Sequence, residues 1–313
     1  MSNTQIFGID CGASKVMAQS ALYNSKSNII SPGKINFEYK YSSYPEWDPN
    51  FIPVPIEIQK KELNKGVLNI QKNEKYQSQV ILRTIKKVIS KIESDCIGFC
   101  YPGIKNNSGI VLMNNGPRIP NLLNKIQKIS SIYNDSECCL YGEINSTIGK
   151  IQKTNNAIYI GGGTGIADGI ILNGNIIDFN KNHDIKRSWE LLLPSNKTIE
   201  SCLSPNGILR EWNKINSKKD HSLFDIMKDP NAKHLFIIAS NAFSHLIKNR
   251  SLFFKNNNYK IEKIVIGQRL GEFLKICKSD IKTMFESKTK IPIEYSHDRR
   301  TAALGAAWKK ICS

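Results

Sequence analysis

The chain has 313 residues, 40% of them hydrophobic, enough for two domains with sizeable cores. No apolar run approaches the ~18 residues of a membrane span, and no charged segment followed by an apolar one marks a secretory leader, so a cytoplasmic protein is expected. The net charge of +17 comes mostly from lysines scattered among asparagines and isoleucines, a composition bias and not the clustered pattern of a nucleic-acid surface.

In chain order, residues 6–23 read as a hairpin. Ile6-Phe7-Gly8-Ile9-Asp10-Cys11 leads through the small-residue turn Gly12-Ala13-Ser14-Lys15 into Val16-Met17-Ala18. Residues 35–41 alternate apolar and polar, as a strand does. The stretch 42–75 holds Pro45, Pro49, Pro53 and Pro55, which exclude a regular helix; it is expected to be an insertion, a lid or a surface excursion. Residues 77–94 place Val80, Ile81, Thr84, Ile85, Val88, Ile89 and Ile92 on one helical face.

Strands are predicted over 96–100 and 110–113, a loop over 114–121 and a helix over 122–132. A strand is predicted over 138–141, and Gly142-Glu143-Ile144-Asn145 begins a helix reaching about residue 153. Residues 186–249 read as helical, with caps at Ser188, Asn196 and Asp229. A strand over 263–267, a helix over 270–285, an edge strand over 291–295 and an alanine-rich helix over 299–311 complete an α/β pattern. The eight cysteines show no CxxC pair and no zinc spacing, so most are expected to be reduced core residues.

The stretch 157–177, AIYIGGGTGIADGIILNGNII, sets two apolar runs around Gly161-Gly162-Gly163-Thr164-Gly165. Glycine lacks a Cβ, so consecutive N–H groups can turn toward one anion and let it approach. The first hairpin repeats the arrangement with a carboxylate, Asp10, at its turn. A carboxylate beside free N–H groups suits Mg²⁺ and polyphosphate together. Two such hairpins suggest a duplicated unit that clasps one nucleotide.

At these motifs the sequence resembles the ROK family of sugar kinases, within the actin/hexokinase superfamily. IDCGASK resembles the first phosphate motif and GGGTGIADGIILNGNI the second. GFCYPGIKNNSGIVL, IVIGQRLGEFL and RRTAALGAAW resemble the PG turn, the adenosine-side motif and the C-terminal helix. The resemblance implies a two-domain actin-like ATPase (ribonuclease H-like) fold, with a duplicated mixed sheet, flanking helices and an interdomain cleft. The domains would be 1–120 and 121–298, with helix 299–313 returning to the first. It implies ATP and Mg²⁺, with Asp10 at the metal. Asp10, Gly12, Ser14, Lys15, Gly162, Gly163, Thr164, Gly165 and Gly267 would hold the nucleotide. A sugar is the expected small-molecule partner, and a homodimer is in keeping with the family; neither nucleic acid nor a membrane is expected.

The departures from the family carry equal weight. Its base is an Asp in an Asn-Asp-Ala-Asn segment that starts a helix; the counterpart is read as Gly142-Glu143-Ile144-Asn145, with Glu143 as base. Arg118 stands where the family's sugar loop has Asn, and would suit a charged substrate group, with Asn115 or Asn121 supplying hydroxyl contacts. Glu190 is matched to the sugar-clamp Glu and Glu200 loosely to a second one, but the clamp's His is missing. The zinc cysteines are absent too, so no structural zinc is expected. Gln268-Arg269 replace adenosine-side glycines. The expected activity is ATP-dependent phosphorylation of a sugar hydroxyl. The alternative is a non-catalytic sugar- or nucleotide-binding regulator, and more remotely a hydrolase or transferase on the same core.

Overall fold

The computed structural model describes residues 5–179, 181–182, 184–216, 220–277 and 280–312. The helices expected over 186–249 and 270–285 thus include positions, 217–219 and 278–279, outside the described residues. The chain divides into two compact units: Met1–Ile148 with Arg300–Ser313, and Gly149–Arg299. The division falls after Ile148 and not after 120, because residues 121–148 add a strand and a helix to the first sheet.

In the first unit β1 (Ile6–Cys11), β2 (Lys15–Asn24) and β3 (Ile29–Lys40) form the expected antiparallel run. The next segment corrects the sequence reading. Helix α1 (Ile56–Asn64) lies inside the proline-rich stretch, with Pro55 at its N-cap. All four prolines precede the helix interior, so none removes a helical hydrogen bond. Helix α2 (Lys72–Ile89) starts earlier than expected, at a capping box made by Gln71 and Glu74. Its face of Val80, Ile81, Ile85 and Val88 packs with Phe7, Ile9 and Phe99 of the sheet.

Strand β4 (Ile97–Tyr101) lies parallel to β1. Strands β5 (Ile104–Lys105) and β6 (Ile110–Leu112) make a small separate pair. The helix expected over 122–132 is only a 3-10 turn, Leu123–Lys125. Its β-branched isoleucines weaken a helix, and Ile126, Ile129 and Leu122 are buried from a turn conformation instead. Strand β7 (Tyr133–Asn134) runs parallel to β4 and completes the order β3-β2-β1-β4-β7.

Residues 138–141, expected as a strand, belong to helix α3 (Asp135–Asn145), which also ends well before residue 153. The buried positions Cys138, Cys139, Gly142 and Glu143 recur at helical spacing, and the Asn134 side chain caps the first turn.

In the second unit β8 (Ala157–Gly162), β9 (Ile166–Leu172) and β10 (Asn175–Ile176) form the glycine hairpin and its Asn173-Gly174 turn, with φ of 50° and 75° at those two residues. Helices α4 (Ile199–Leu203), α5 (Pro205–Ile215), α6 (Leu223–Ile226) and α7 (Lys233–Asn256) follow. Thr198 and Ser204 cap α4 and α5, whereas among the described residues Ser188 and Asn196 cap no helix; Asp229 caps a 3-10 turn before α7. Strand β11 (Lys263–Gly267), helices α8 (Gln268–Ile276) and α9 (Asp280–Glu286) and strand β12 (Ile293–Tyr295) close the unit. The single helix expected over 270–285 is therefore two. The sheet order is β10-β9-β8-β11-β12, the same sequence of antiparallel and parallel pairings as in the first unit. Ile158, Ile160, Ile264 and Ile266 pack with Phe236, Phe243 and Phe273 in its core.

Helix α10 (Thr301–Cys312) belongs to the first unit, where it packs on α3, β1 and β4. The contact needs glycine on both helices. A Cβ on Gly142 would meet Thr301 O at 1.9 Å, and one on Gly305 would meet Cys138 O at 1.8 Å.

Candidate active site

In the first unit, parallel strands β1, β4 and β7 end side by side. Asp10 is paired with Cys100, and Cys100 with Tyr133. The carboxyl ends of parallel strands are where α/β sheets gather ligands. After β7, Asn134 Oδ1 accepts the Ser136 N–H at 3.0 Å and starts α3, whose first residue is Asp135. Two carboxylates, Asp10 and Asp135, therefore stand at the ends of β1 and β7, on either side of β4.

Their electrostatics are coupled. Burial, then the Asp135 charge, pushes Asp10 up to about 6, against the pull of Lys15. The Cys100 thiol donates to Asp10 Oδ1 at 3.7 Å. Burial also raises Asp135, while the Lys105 ammonium and the Ser136 N–H favour its charged form. Lys105 donates to Gly103 O at 2.7 Å, and burial lowers its pKa.

The turn after β1 is closed by Gly12 N–H donating to Lys15 O at 2.9 Å. Tyr41 supports it, its hydroxyl donating to Gly12 O at 2.9 Å and its N–H to Ser14 O at 3.1 Å. Among the described residues the N–H groups of Ala13 and Ser14 make no hydrogen bond. Lys15, expected at the phosphates, pairs with Glu38. The Asp10 carboxylate beside free N–H groups fits a hard divalent cation that shares phosphate oxygens.

Two expected residues lie elsewhere. Glu143 sits on α3 two turns past Asp135 and is 0% exposed, so the structure does not bring it to the strand ends. Arg118 is also 0% exposed. Its Nε and Nη2 donate to Glu74 at 3.0 and 2.7 Å, Nη1 to Glu62, and Nη2 also to Asn69 O at 3.1 Å. Burial disfavours its charge, but the two carboxylates outweigh that and raise its pKa. A guanidinium so engaged ties the 56–74 segment to the loop after β6, with each of its nitrogens bonded within the first unit. Asn115 is half-buried in the loop after β6.

In the second unit the turn between β8 and β9 is closed by Gly163 N–H donating to Gly165 O at 2.8 Å. Thr164 is at its tip, and among the described residues the N–H groups of Thr164 and Gly165 make no hydrogen bond. The turn is framed by helix starts. At the head of α5, Asn206 N–H donates to Gly163 O at 3.3 Å. At the head of α8, Gly267 pairs with Gly161 and Gln268 bridges to Gly162. Helix N-termini carry partial positive charge and free N–H groups, the ordinary setting for an anion. Gln268 has φ of 59°, a left-handed conformation that glycine adopts without strain.

Glu200 is buried, and its Oε2 accepts the Ile166 N–H at 3.0 Å, bracing the first residue after the turn. Glu190 is half-buried; its Oε2 accepts the Arg187 N–H at 3.0 Å and lies 3.6 Å from the Arg187 guanidinium. The segment is fastened by a buried pair, Arg250 to Asp168 at 2.8 Å, with Arg250 also donating to Lys186 O at 2.8 Å and Ser188 N–H to Asp168 at 3.3 Å.

Sequence reasoning missed Asp135. The signal was present: Asn134-Asp135-Ser136-Glu137 is itself an Asn-Asp segment that starts a helix. Reading Cys138-Cys139-Leu140-Tyr141 as a strand hid it.

The sequence matches no family model and no curated protein. The fold does match solved structures. A ROK family glucokinase from Streptomyces griseus, in complex with glucose and AMPPNP, superimposes with a TM-score of 0.61 at 12% identity, over 97% of this chain and 98% of that one. The inorganic polyphosphate/ATP-glucomannokinase of Arthrobacter sp. strain KM gives 0.60 at 12% identity, over 99% of each chain. A ROK family transcriptional regulator, a homolog of the E. coli MLC protein, gives 0.56 at 13% identity, over 99% of this chain and 78% of that one. The chain thus has the two-sheet fold of these ROK proteins.

Proposed function

We propose that this chain is a ROK-type phosphotransferase that moves the γ-phosphoryl group of ATP to a sugar hydroxyl, with Asp135 as the base. The observation that carries the reading is the placement of Asp135: first residue of α3, at the sheet end that also holds Asp10. Asp135 accepts the proton as the sugar oxygen attacks phosphorus and the bond to ADP breaks. Burial raises its pKa, while the Lys105 ammonium favours its charged form. Asp10 would hold Mg²⁺ through its carboxylate; bound there, the ion neutralises phosphate charge. The Thr164 and Gly165 N–H groups would take phosphate oxygens. Asn115 offers both a donor and an acceptor to sugar hydroxyls.

A second reading is a sugar- or nucleotide-binding regulator. Gln268 and Arg269 in place of glycines favour it, as does the likeness to the transcriptional regulator. ADP release with Mg-ATP against neutral hexoses, N-acetylhexosamines and acidic sugars separates the two. Turnover on one sugar supports the kinase. Nucleotide binding without turnover on any sugar supports the regulator.

A further inference from the structure

Arg269 is the side chain of the second unit that the expected chemistry does not use. It is the second residue of α8, and its guanidinium reaches back over the glycine turn. Nη2 lies 3.4 Å from Thr164 Oγ1, and Nε lies 4.0 Å from where a Cβ on Gly163 would stand. Its neighbours leave the charge unmatched. Glu272, the nearest acid on the same helix, is held by Arg299, whose Nε donates to it at 2.9 Å. Among the described residues Arg269 makes no ion pair.

We propose that Arg269 binds the phosphate chain of the phosphoryl donor, together with Thr164 and the N–H groups of the turn. The planar fork of a guanidinium matches two phosphate oxygens at once, which a glycine at this position cannot do. The turn beneath it has free N–H groups, and the starts of α5 and α8 add positive potential from both sides. Burial, then the Arg299 charge, disfavours the Arg269 cation, with Glu272 opposing. A half-buried cation in that state gains when an anion arrives. Donor recognition then leans on the phosphate chain, and inorganic tripolyphosphate shares the site with ATP. The assignment rests on the reading of the glycine turn as a nucleotide site.

The test measures equilibrium binding of Mg-ATP and of Mg-tripolyphosphate to the full chain, to Arg269→Ala and to Arg269→Lys. Thermal melting of each variant confirms folding. The expected result is a rise in Kd of about 10- to 100-fold for both ligands in the alanine variant, for loss of a charge-assisted pair, with part recovered by lysine. Tripolyphosphate is expected to compete with ATP. Where turnover is measurable, the KM for ATP rises and the KM for the sugar does not. Unchanged or tighter binding in Arg269→Ala, with wild type binding normally, overturns the Arg269 assignment alone. Wild-type protein that binds neither ligand overturns it together with the nucleotide reading.

Discussion

Asp10 is held at a cost. In the folded chain burial and Asp135 lift its pKa from 3.8 to about 6. Between those values the folded state binds the proton more tightly than the unfolded chain, so stability falls as pH rises through this window and is level above it. A rise of that size corresponds to about 3 kcal/mol, reduced to roughly 1–2 by solvent screening at a carboxylate near the strand ends. Asp10→Asn is therefore expected to raise the thermal midpoint at pH 8 but not at pH 4, while phosphoryl transfer is lost. Equal shifts at both pH values would contradict the raised pKa of Asp10. The two hairpin turns were legible in the sequence because hairpin chemistry is local. Asp135 was not read, because four apolar residues in a row look alike in a strand and in a helix. Its cap, Asn134, was the feature that could have decided between them.

Arg118 acts at the scale of elements. It fastens α1, through Glu62, and the start of α2, through Glu74, to the loop that follows β6. Removing one member of a buried ion network leaves the others uncompensated. Arg118→Ala is expected to cost about 3–5 kcal/mol in urea unfolding. Unchanged stability with a raised KM for the sugar would return Arg118 to the substrate. Neither partner was visible from sequence, since Glu74 lies 44 residues away and Glu62 lies 56 away. The amphipathic face of α2 was legible, being periodic; α1 was not, because proline count hid proline position. The close crossing of α3 and α10 at Gly142 and Gly305 is likewise a tertiary fact, which two isolated glycines do not announce.

The whole molecule repeats one plan. Both sheets run antiparallel, antiparallel, parallel, parallel, and each puts a small-residue turn after its first strand. That duplication was legible from two matching hairpins, one at Asp10 and one at the glycine run. The boundary between units was not, because it depends on where residues 121–148 pair. Asp135, and not Glu143, is the proposed acceptor of the hydroxyl proton. The most direct measurement is steady-state kinetics of Asp135→Asn beside Glu143→Gln, on whichever sugar wild type turns over. Asp135→Asn is expected to lower kcat by at least ~10²-fold with little change in the KM for ATP, and Glu143→Gln to leave kcat within a few-fold. Near-normal turnover in Asp135→Asn, with turnover lost in Glu143→Gln, would contradict it.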